Sequence, residues 1–144
     1  MSAPPPDAVV RFYRCSDAGR LGPVPSAALA ARARLWRPGD ALTGPEAFMG
    51  RAHLAYLAFH RMGVFANGDY SALCLDGEGG RPLHVSCVFP RFFRFPFMAA
   101  DDLQVGATFT EPGARGQGLA QRALIEAVQR LIRPGRSLWY LTEV

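Results

Sequence analysis

The feature that most constrains this chain is a glycine-rich segment that joins a predicted strand to a predicted helix. The segment TFTEPGARGQGLAQRALIEAVQRL, residues 108–131, passes from β-branched and aromatic residues through three glycines into an amphipathic helical pattern. Glycine allows positive φ and a close approach of the backbone to a ligand. The first turn of a helix offers unpaired N–H groups and a partial positive charge. The layout therefore predicts an anion-binding turn, with Arg115 as its side-chain donor.

The spacing of the glycines restricts which anion this turn could hold. A Walker loop requires a lysine, and all 16 basic Lys or Arg side chains of this chain are arginine. The order Gly-x-x-Gly-x-Gly reverses the Rossmann fingerprint, although Glu143 lies at about the distance of its acidic residue. No further βα units follow to complete that fold, so a Rossmann-type nucleotide-binding module is the weaker alternative.

The same segment resembles the signature of the GNAT superfamily of acyl-CoA N-acyltransferases. The match is Arg115-Gly116-Gln117-Gly118-Leu119-Ala120, and Pro112 stands where the family often has a proline before the arginine. The resemblance covers strand, loop, helix and next strand, roughly residues 101–144. It implies an α+β (α/β) fold: a mixed, mostly antiparallel sheet flanked by helices, with a strand, Gly-rich loop, helix and strand as its acyl-CoA core.

The resemblance also implies a cofactor site and a reaction. Acetyl-CoA would be the co-substrate, with its pyrophosphate on the backbone N–H groups of residues 115–120 and its pantetheine arm along the strand end near Phe109 and Thr110. The implied activity is N-acetyl transfer to a small-molecule primary amine, such as an amino sugar, by direct attack on the thioester. A backbone N–H at the splayed strand end would stabilise the oxyanion.

Two residues are candidates for proton transfer in that reaction. Glu143 ends the last predicted strand, and His84 lies on a predicted hairpin strand. A strand-end glutamate is commonly only solvated, and a histidine alternating with apolar residues is commonly buried and hydrogen-bonded. Both interpretations remain open for each residue.

The sequence departs from the family after its last strand. The helix and two further strands that usually follow are missing, so the family's catalytic tyrosine cannot be carried over. Part of the acceptor pocket is then absent or comes from another chain, and the final strand is expected to be an open edge, which favours a homodimer. The alternative function is a non-catalytic domain that binds coenzyme A or a protein partner.

The remaining sequence predicts a flexible tail at residues 1–8 and a single domain at residues 9–144. Turn and capping residues divide this domain into predicted elements. They are a strand at 9–15, helices at 25–36 and 43–63 (the latter with a capping box begun by Thr43), a hairpin at 70–90, a strand at 101–110, a helix at 118–133 and a strand at 137–144.

Composition argues against several other classes. The formal charge of +4 includes no long basic run, so RFFRFPF (residues 91–97) is interpreted as a half-buried strand and no nucleic-acid partner is expected. No apolar run reaches the ~20 residues of a membrane span, and no signal sequence is recognised, so a cytoplasmic protein is expected. Three scattered cysteines, and His53 and His60 without carboxylates at ligand spacing, predict no disulfide and no metal site.

Overall fold

A computed structural model describes residues 10–40, 45–93 and 95–143 of the chain, which form a mixed sheet of six strands with helices on both faces. The fold is α+β, as predicted. The strands and helices follow in chain order: β1 Val10–Cys15, β2 Arg32–Trp36, α1 Glu46–Met49, α2 Arg51–Arg61, β3 Ser71–Asp76, β4 Pro82–Pro90, β5 Leu103–Thr110, α3 Leu119–Leu131 and β6 Leu138–Glu143. The predicted tail at 1–8 lies outside the described residues.

The sheet has the strand order β1-β6-β5-β4-β3-β2, and four of its pairs are antiparallel. Only β5 and β6 run parallel, because α3 connects them as a crossover. A Rossmann-type module requires a predominantly parallel sheet, so this topology does not fit that alternative.

Alternation along the strands divides the core between the two faces of the sheet. On β3, Leu73 and Leu75 belong to the cluster that includes α3, whereas Ala72 and Cys74 belong to the cluster that includes α1 and α2. All six residues of β3 are buried, as expected for a strand covered on both faces. The second cluster is rich in aromatic rings, and it forms the wall of the cavity described below.

Helix α3 shows the predicted amphipathic pattern. Its buried positions recur at helical spacing: Leu119, Ala123, Ile125, Ala127, Val128 and Leu131. On the wet face, Glu126 accepts a hydrogen bond of 3.0 Å from the Nε of Arg130, one turn further on. The predicted strands at 9–15, 101–110 and 137–144 and the hairpin around residues 76–80 are also confirmed.

The predicted helix at residues 25–36 is wrong. The structure has a short 3₁₀ turn at Ser26–Ala28 followed by strand β2, which pairs along its whole length with β3. This pairing supplies backbone hydrogen bonds, it buries Trp36, and it brings Arg34 to Asp76 in an ion pair. Tertiary pairing therefore overrides the helical propensity of the alanines.

Two further predictions need correction. The helix predicted at 43–63 is interrupted at Gly50, which has φ of 51° and separates α1 from α2; its predicted cap, Thr43, lies outside the described residues.

The segment 91–97 is not a strand, because β4 ends at Pro90 and irregular turns follow. Within this segment, Phe92 is buried and Phe93 is 71% exposed.

The expectation of an open final strand is also wrong. Strand β6 pairs antiparallel with β1 through six residue pairs, from Val10 with Glu143 to Cys15 with Leu138, so the N-terminal strand covers it. The edges of the sheet are β1 and β2. This removes the argument for a homodimer from edge pairing of β6, and the dimer stays a prediction.

In the described part of the chain, no helix has the length and apolar character needed to cross a membrane.

Candidate functional site

The turn between β5 and α3 is built by a short 3₁₀ segment and two glycines with positive φ. Pro112–Ala114 form the 3₁₀ turn, closed by a hydrogen bond of 2.9 Å from Ala114 N to Glu111 O, and Ala114 is buried. Gly116 and Gly118 follow with φ of 79° and 78°. These left-handed conformations are what the glycines provide, because a side chain would be strained there.

Gly118 has a second reason to be glycine. A Cβ atom at this position would lie 2.7 Å from both Cβ and Cγ of Pro25. The turn therefore packs directly against the segment before β2, and this contact fixes where α3 begins. Gly116, by contrast, has no atom within 4 Å of an added Cβ.

After Arg115, the backbone N–H groups of this turn have no hydrogen-bond acceptor in the described part of the structure. Gly118 is the N-cap of α3 and provides no side-chain cap, and the first helical hydrogen bond runs from Arg122 N to Gly118 O at 3.0 Å. Among the described residues, no acceptor is found for the N–H groups of residues 116–121. Consecutive unpaired N–H groups at the start of a helix form an anion-binding arrangement.

Arg115 adds a positive charge beside these N–H groups. Its Nε donates a hydrogen bond of 3.3 Å to the carbonyl oxygen of Thr110, which ties the turn back to the end of β5. The side chain is otherwise exposed, and its terminal nitrogens have no acceptor in the described part of the chain. A guanidinium held in this way keeps two donors for a phosphate oxygen.

The remaining residues predicted for the cofactor site occupy different environments. The side chain of Leu119 is buried in the core, so only its backbone faces the turn, whereas Gln117 and Ala120 are exposed. Phe109 stacks on Phe48 of α1, with 4.7 Å between the ring centroids. For most of these residues, then, the backbone is the part that can contact a ligand.

His84 lies on β4 and is fully buried beside Thr110, the last residue of β5. Its Nδ1 lies 2.7 Å from Thr110 Oγ1 and its Nε2 lies 2.8 Å from Ser86 Oγ, which in turn lies 3.2 Å from Thr108 Oγ1. Burial lowers the pKa of His84 to about 4, so the ring is neutral near pH 7. A ring without exposed surface can affect a ligand only through its threonine and serine neighbours.

The two residues predicted for proton transfer are not brought together by any described contact. Glu143 pairs through its backbone with Val10 on β1, and its side chain lies outside the described part of the structure. His84 lies on β4, which pairs with the edge of β5 opposite to β6, and its partner there is Thr110. Their predicted roles therefore stay predictions.

Strands β5 and β6 are joined at one end and separate at the other. Their parallel register covers only Leu103 with Leu138, Gln104 with Trp139, and Val105 with Tyr140. Beyond this point, β5 stays paired with β4, and a bulge places Ala107 and Thr108 opposite a single residue of β4. Ala107 has φ of 46°, which is rare for a residue with a side chain.

Asp102 holds the joined end of these strands together. Its carboxylate accepts hydrogen bonds from Ser137 N (2.9 Å), Trp139 Nε1 (2.9 Å) and Ala99 N (3.0 Å). Burial alone would raise the pKa of Asp102, but the hydrogen bonds from these donors outweigh it, and the pKa is lowered. The carboxylate therefore stays charged and keeps β6 against the start of β5.

A cavity of about 210 Å³ lies where the two strands separate. One side is aromatic, with Tyr56 from α2, Phe89 from β4, and Phe92 and Phe95 from the segment after it. The other side is formed by β5 and β6, and it is lined by Gln104, Gly106, Ala107, Thr108, Tyr140 and Leu141.

Most residues of this cavity carry no local sequence signal that predicts it. The one signal in the sequence is that Gln104 is a polar residue between two apolar neighbours on β5. In the structure this residue is only 6% exposed. The aromatic residues of α2 were recognised as a helical pattern, but nothing local predicted that Tyr56 would face the separated strands. In the described residues, no group of three or more His, Cys, Asp or Glu is placed to hold a metal ion.

Comparison with known proteins gives little beyond the fold. No family model matches the sequence, and no curated protein matches it. A functionally unknown conserved protein from Staphylococcus epidermidis has a similar structure, with a TM-score of 0.50 and 11% sequence identity. The match covers 94% of this chain and 51% of that one, so this chain spans about half the length of its structural neighbour. At that identity the likeness concerns the fold alone.

Proposed function

We propose that this chain is a GNAT-like N-acetyltransferase, which moves an acetyl group from acetyl-CoA to a primary amine. The observation that carries the proposal is the row of N–H groups at residues 116–121, which have no acceptor among the described residues and lie at the start of a helix of 13 residues, beside the Arg115 guanidinium. A diphosphate is the anion that such a row accommodates, because several N–H donors and the helix dipole act on it together.

The separation of β5 and β6 supports an acyl carrier over a simple phosphate. From Gly106 to Thr110, β5 is paired with β4 on one side, and β6 does not follow it on the other. An extended amide-containing arm could add to this free side as a strand does. The backbone near Phe109 and Thr110 would contact it, as the family resemblance implies.

The cavity at the separated strands is the proposed place of reaction. The amine nitrogen attacks the carbonyl carbon of the thioester, the C–S bond breaks, the amine loses a proton and the departing thiolate gains one. Acetyl-CoA supplies the activated acetyl group. Among the described lining residues, Tyr56 and Tyr140 carry phenolic hydroxyls that could exchange a proton.

A second candidate function is binding of coenzyme A without turnover. The observation that favours it is the lining of the cavity, in which the described residues include neither a carboxylate nor an exposed imidazole to act as base. His84 is buried and neutral, and it contacts the site only through Thr110 and Ser86. Release of free thiol from acetyl-CoA with an amine panel distinguishes the two functions.

The test of the cofactor site is a titration followed at individual amides. Calorimetry should show binding of acetyl-CoA and of coenzyme A, and weaker or absent binding of NAD. In ¹⁵N-resolved NMR spectra, the amide signals of residues 116–121 should shift with both acetyl-CoA and inorganic pyrophosphate. The amides of residues 77–80, in the β3–β4 turn, serve as the internal control and should not shift.

Two results would contradict the proposal at different levels. If acetyl-CoA binds without moving the amides of residues 116–121, the site assignment is wrong. If neither acetyl-CoA nor coenzyme A binds, the proposed function is wrong as a whole. Binding without thiol release from any amine would leave the second candidate function in place.

A further inference from the structure

The cavity beside β5 has the size of a small molecule, and five of its ten described lining residues are aromatic. Its volume of about 210 Å³ is below the ~300–1,000 Å³ of pockets for drug-sized ligands. Rings of Tyr56, Phe89 and Phe92 contribute to one wall, and those of Tyr56 and Phe89 lie 4.5 Å apart between centroids. The aromatic side favours a flat or apolar part of a ligand, which it would bind by burial and stacking, and the side formed by β5 and β6 offers polar atoms to the rest of the ligand.

One polar group in this cavity has no hydrogen-bond partner among the described residues. The side chain of Gln104 is on the wall, the residue is only 6% exposed, and its Oε1 is buried without a hydrogen bond. Its Nε2 donates to no described residue either. A buried amide oxygen left unpaired is costly, and rotation of the Gln104 side chain toward the cavity would let this oxygen accept a hydrogen bond from a ligand N–H or O–H.

The charges around the cavity restrict the ligand further. The described lining residues include no carboxylate and no arginine or lysine. Polyamines, amino sugars with several ammonium groups and peptide lysines surrounded by basic residues need acidic partners, which these walls do not offer. A single ammonium or amine can be held by aromatic faces and by one amide oxygen.

We propose that this cavity binds the acetyl acceptor as a primary amine on an aromatic or otherwise apolar body, with Gln104 Oε1 accepting a hydrogen bond from the amine. The assignment rests on the proposed function for the fate of that amine. Thr108 and Tyr140 place the cavity at the separation of β5 and β6, where the thioester would lie. Gln104 is thus a residue that positions and selects the acceptor.

The experiment measures amine binding apart from turnover. Calorimetry on the full chain compares 2-phenylethylamine with spermidine and glucosamine, for the wild type and for Gln104→Met, Gln104→Glu and the control Gln129→Met on the exposed face of α3. 2-Phenylethylamine should bind the wild type more tightly than either other amine. Gln104→Met should weaken that binding about tenfold, as expected for loss of one hydrogen bond to a charged or polar donor. Gln104→Glu retains an acceptor and should retain binding, and Gln129→Met should have no effect.

Stability and cofactor binding separate this role from a structural one. Gln104→Met removes an unpaired buried oxygen, so the melting temperature should stay the same or rise, and acetyl-CoA affinity should not change. A preference for spermidine or glucosamine, or unchanged 2-phenylethylamine binding in Gln104→Met, overturns the assignment. A wild type that binds 2-phenylethylamine and not acetyl-CoA defeats the proposed function and leaves the cavity assignment standing.

Discussion

Two glycine-rich turns in this chain look alike in sequence and differ in where their N–H groups go. The β3–β4 turn has Gly79 and Gly80 at φ of 67° and 77°, close to the values of Gly116 and Gly118 in the β5–α3 turn. In the first turn, three N–H groups are bonded within the hairpin: Gly77 N to Arg81 O at 2.7 Å, Gly80 N to Gly77 O at 3.2 Å and Arg81 N to Glu78 O at 3.4 Å. In the second, those of residues 116–121 have no acceptor among the described residues.

The comparison shows that glycine content and positive φ alone do not identify an anion site. Both properties serve a hairpin as well as a phosphate loop. The distinguishing property is a row of N–H groups left free at the beginning of a helix and held rigidly by packing. Substitutions in the two turns should therefore have different consequences.

The largest effect is expected from Gly118→Ala. The added methyl group would lie 2.7 Å from Pro25 Cβ and Cγ, at a φ of 78° that disfavours alanine. The two costs together should lower the free energy of unfolding by about 3 kcal/mol. Displacement of the first turn of α3 should also weaken acetyl-CoA binding by more than about tenfold. Urea denaturation and calorimetry measure these two quantities.

The double variant Pro25→Gly with Gly118→Ala separates the two costs. It removes the ring that the new methyl group contacts, so part of the lost stability should return, while the cost of positive φ remains. Unchanged acetyl-CoA affinity in a folded Gly118→Ala protein would show that these N–H groups do not bind the cofactor.

The free energy of unfolding is expected to change with pH by about 3 kcal/mol because of His84, which lies where β5 meets the turn. The pKa of His84 is lowered from 6.5 to about 4 by burial, so the unfolded chain binds a proton more readily than the folded chain. The contribution of His84 to the free energy of unfolding is fully present above pH 6.5. It decreases as the pH falls and is fully lost below about pH 4. The lost amount is about 3 kcal/mol, from ~1.4 kcal/mol for each pKa unit.

The variant His84→Gln tests that pH dependence. It cannot take up the proton, so its free energy of unfolding should fall less than that of the wild type between pH 7 and pH 4. Urea denaturation of both proteins across this range measures the difference. Equal pH profiles would mean that His84 is not held neutral beside Thr110 in solution.

The sequence predicted the turn and much of the sheet because their signals are local. The run from Thr108 to Leu131 changes from strand to helical periodicity within itself, and the buried stripe of α3 follows from that periodicity. The hairpin between β3 and β4 carries its own turn residues at 76–80. In each case, residues near one another in the chain determine the structure.

Features that depend on distant pairing could not be predicted in this way. The alanine-rich segment before Trp36 becomes a strand because β3 lies beside it, and β6 is covered because β1 returns to it from the other end of the chain. The cavity depends on the same long-range arrangement, since Gln104 and Tyr56 line it together only after α2 packs on the sheet. His84 was selected as a proton-transfer residue from its position, but its burial and its hydrogen bonds become apparent only in the folded structure.

A smaller effect is expected from Arg115→Ala. The side chain is exposed and contributes one hydrogen bond to Thr110 O, so stability should change little. Loss of a charged donor to the pyrophosphate should weaken acetyl-CoA binding about tenfold, and the difference should shrink at high salt. Arg115→Lys should be intermediate, because it retains the charge without the planar donor pair. Arg130→Ala, near the other end of α3, is the control, and an equal loss there would point to net charge alone.

The smallest effect is expected from Gly79→Ala, the matched substitution in the other turn. Gly79 has φ of 67°, and nothing lies within 4 Å of the added Cβ, so only the conformational cost applies. The free energy of unfolding should fall by about 1 kcal/mol, and acetyl-CoA affinity should not change. If Gly79→Ala weakened acetyl-CoA binding as much as Gly118→Ala, both effects would report loss of overall stability, and the contrast between the two turns would disappear. Unequal effects on affinity, compared at conditions where both variants are fully folded, would locate the diphosphate at the start of α3.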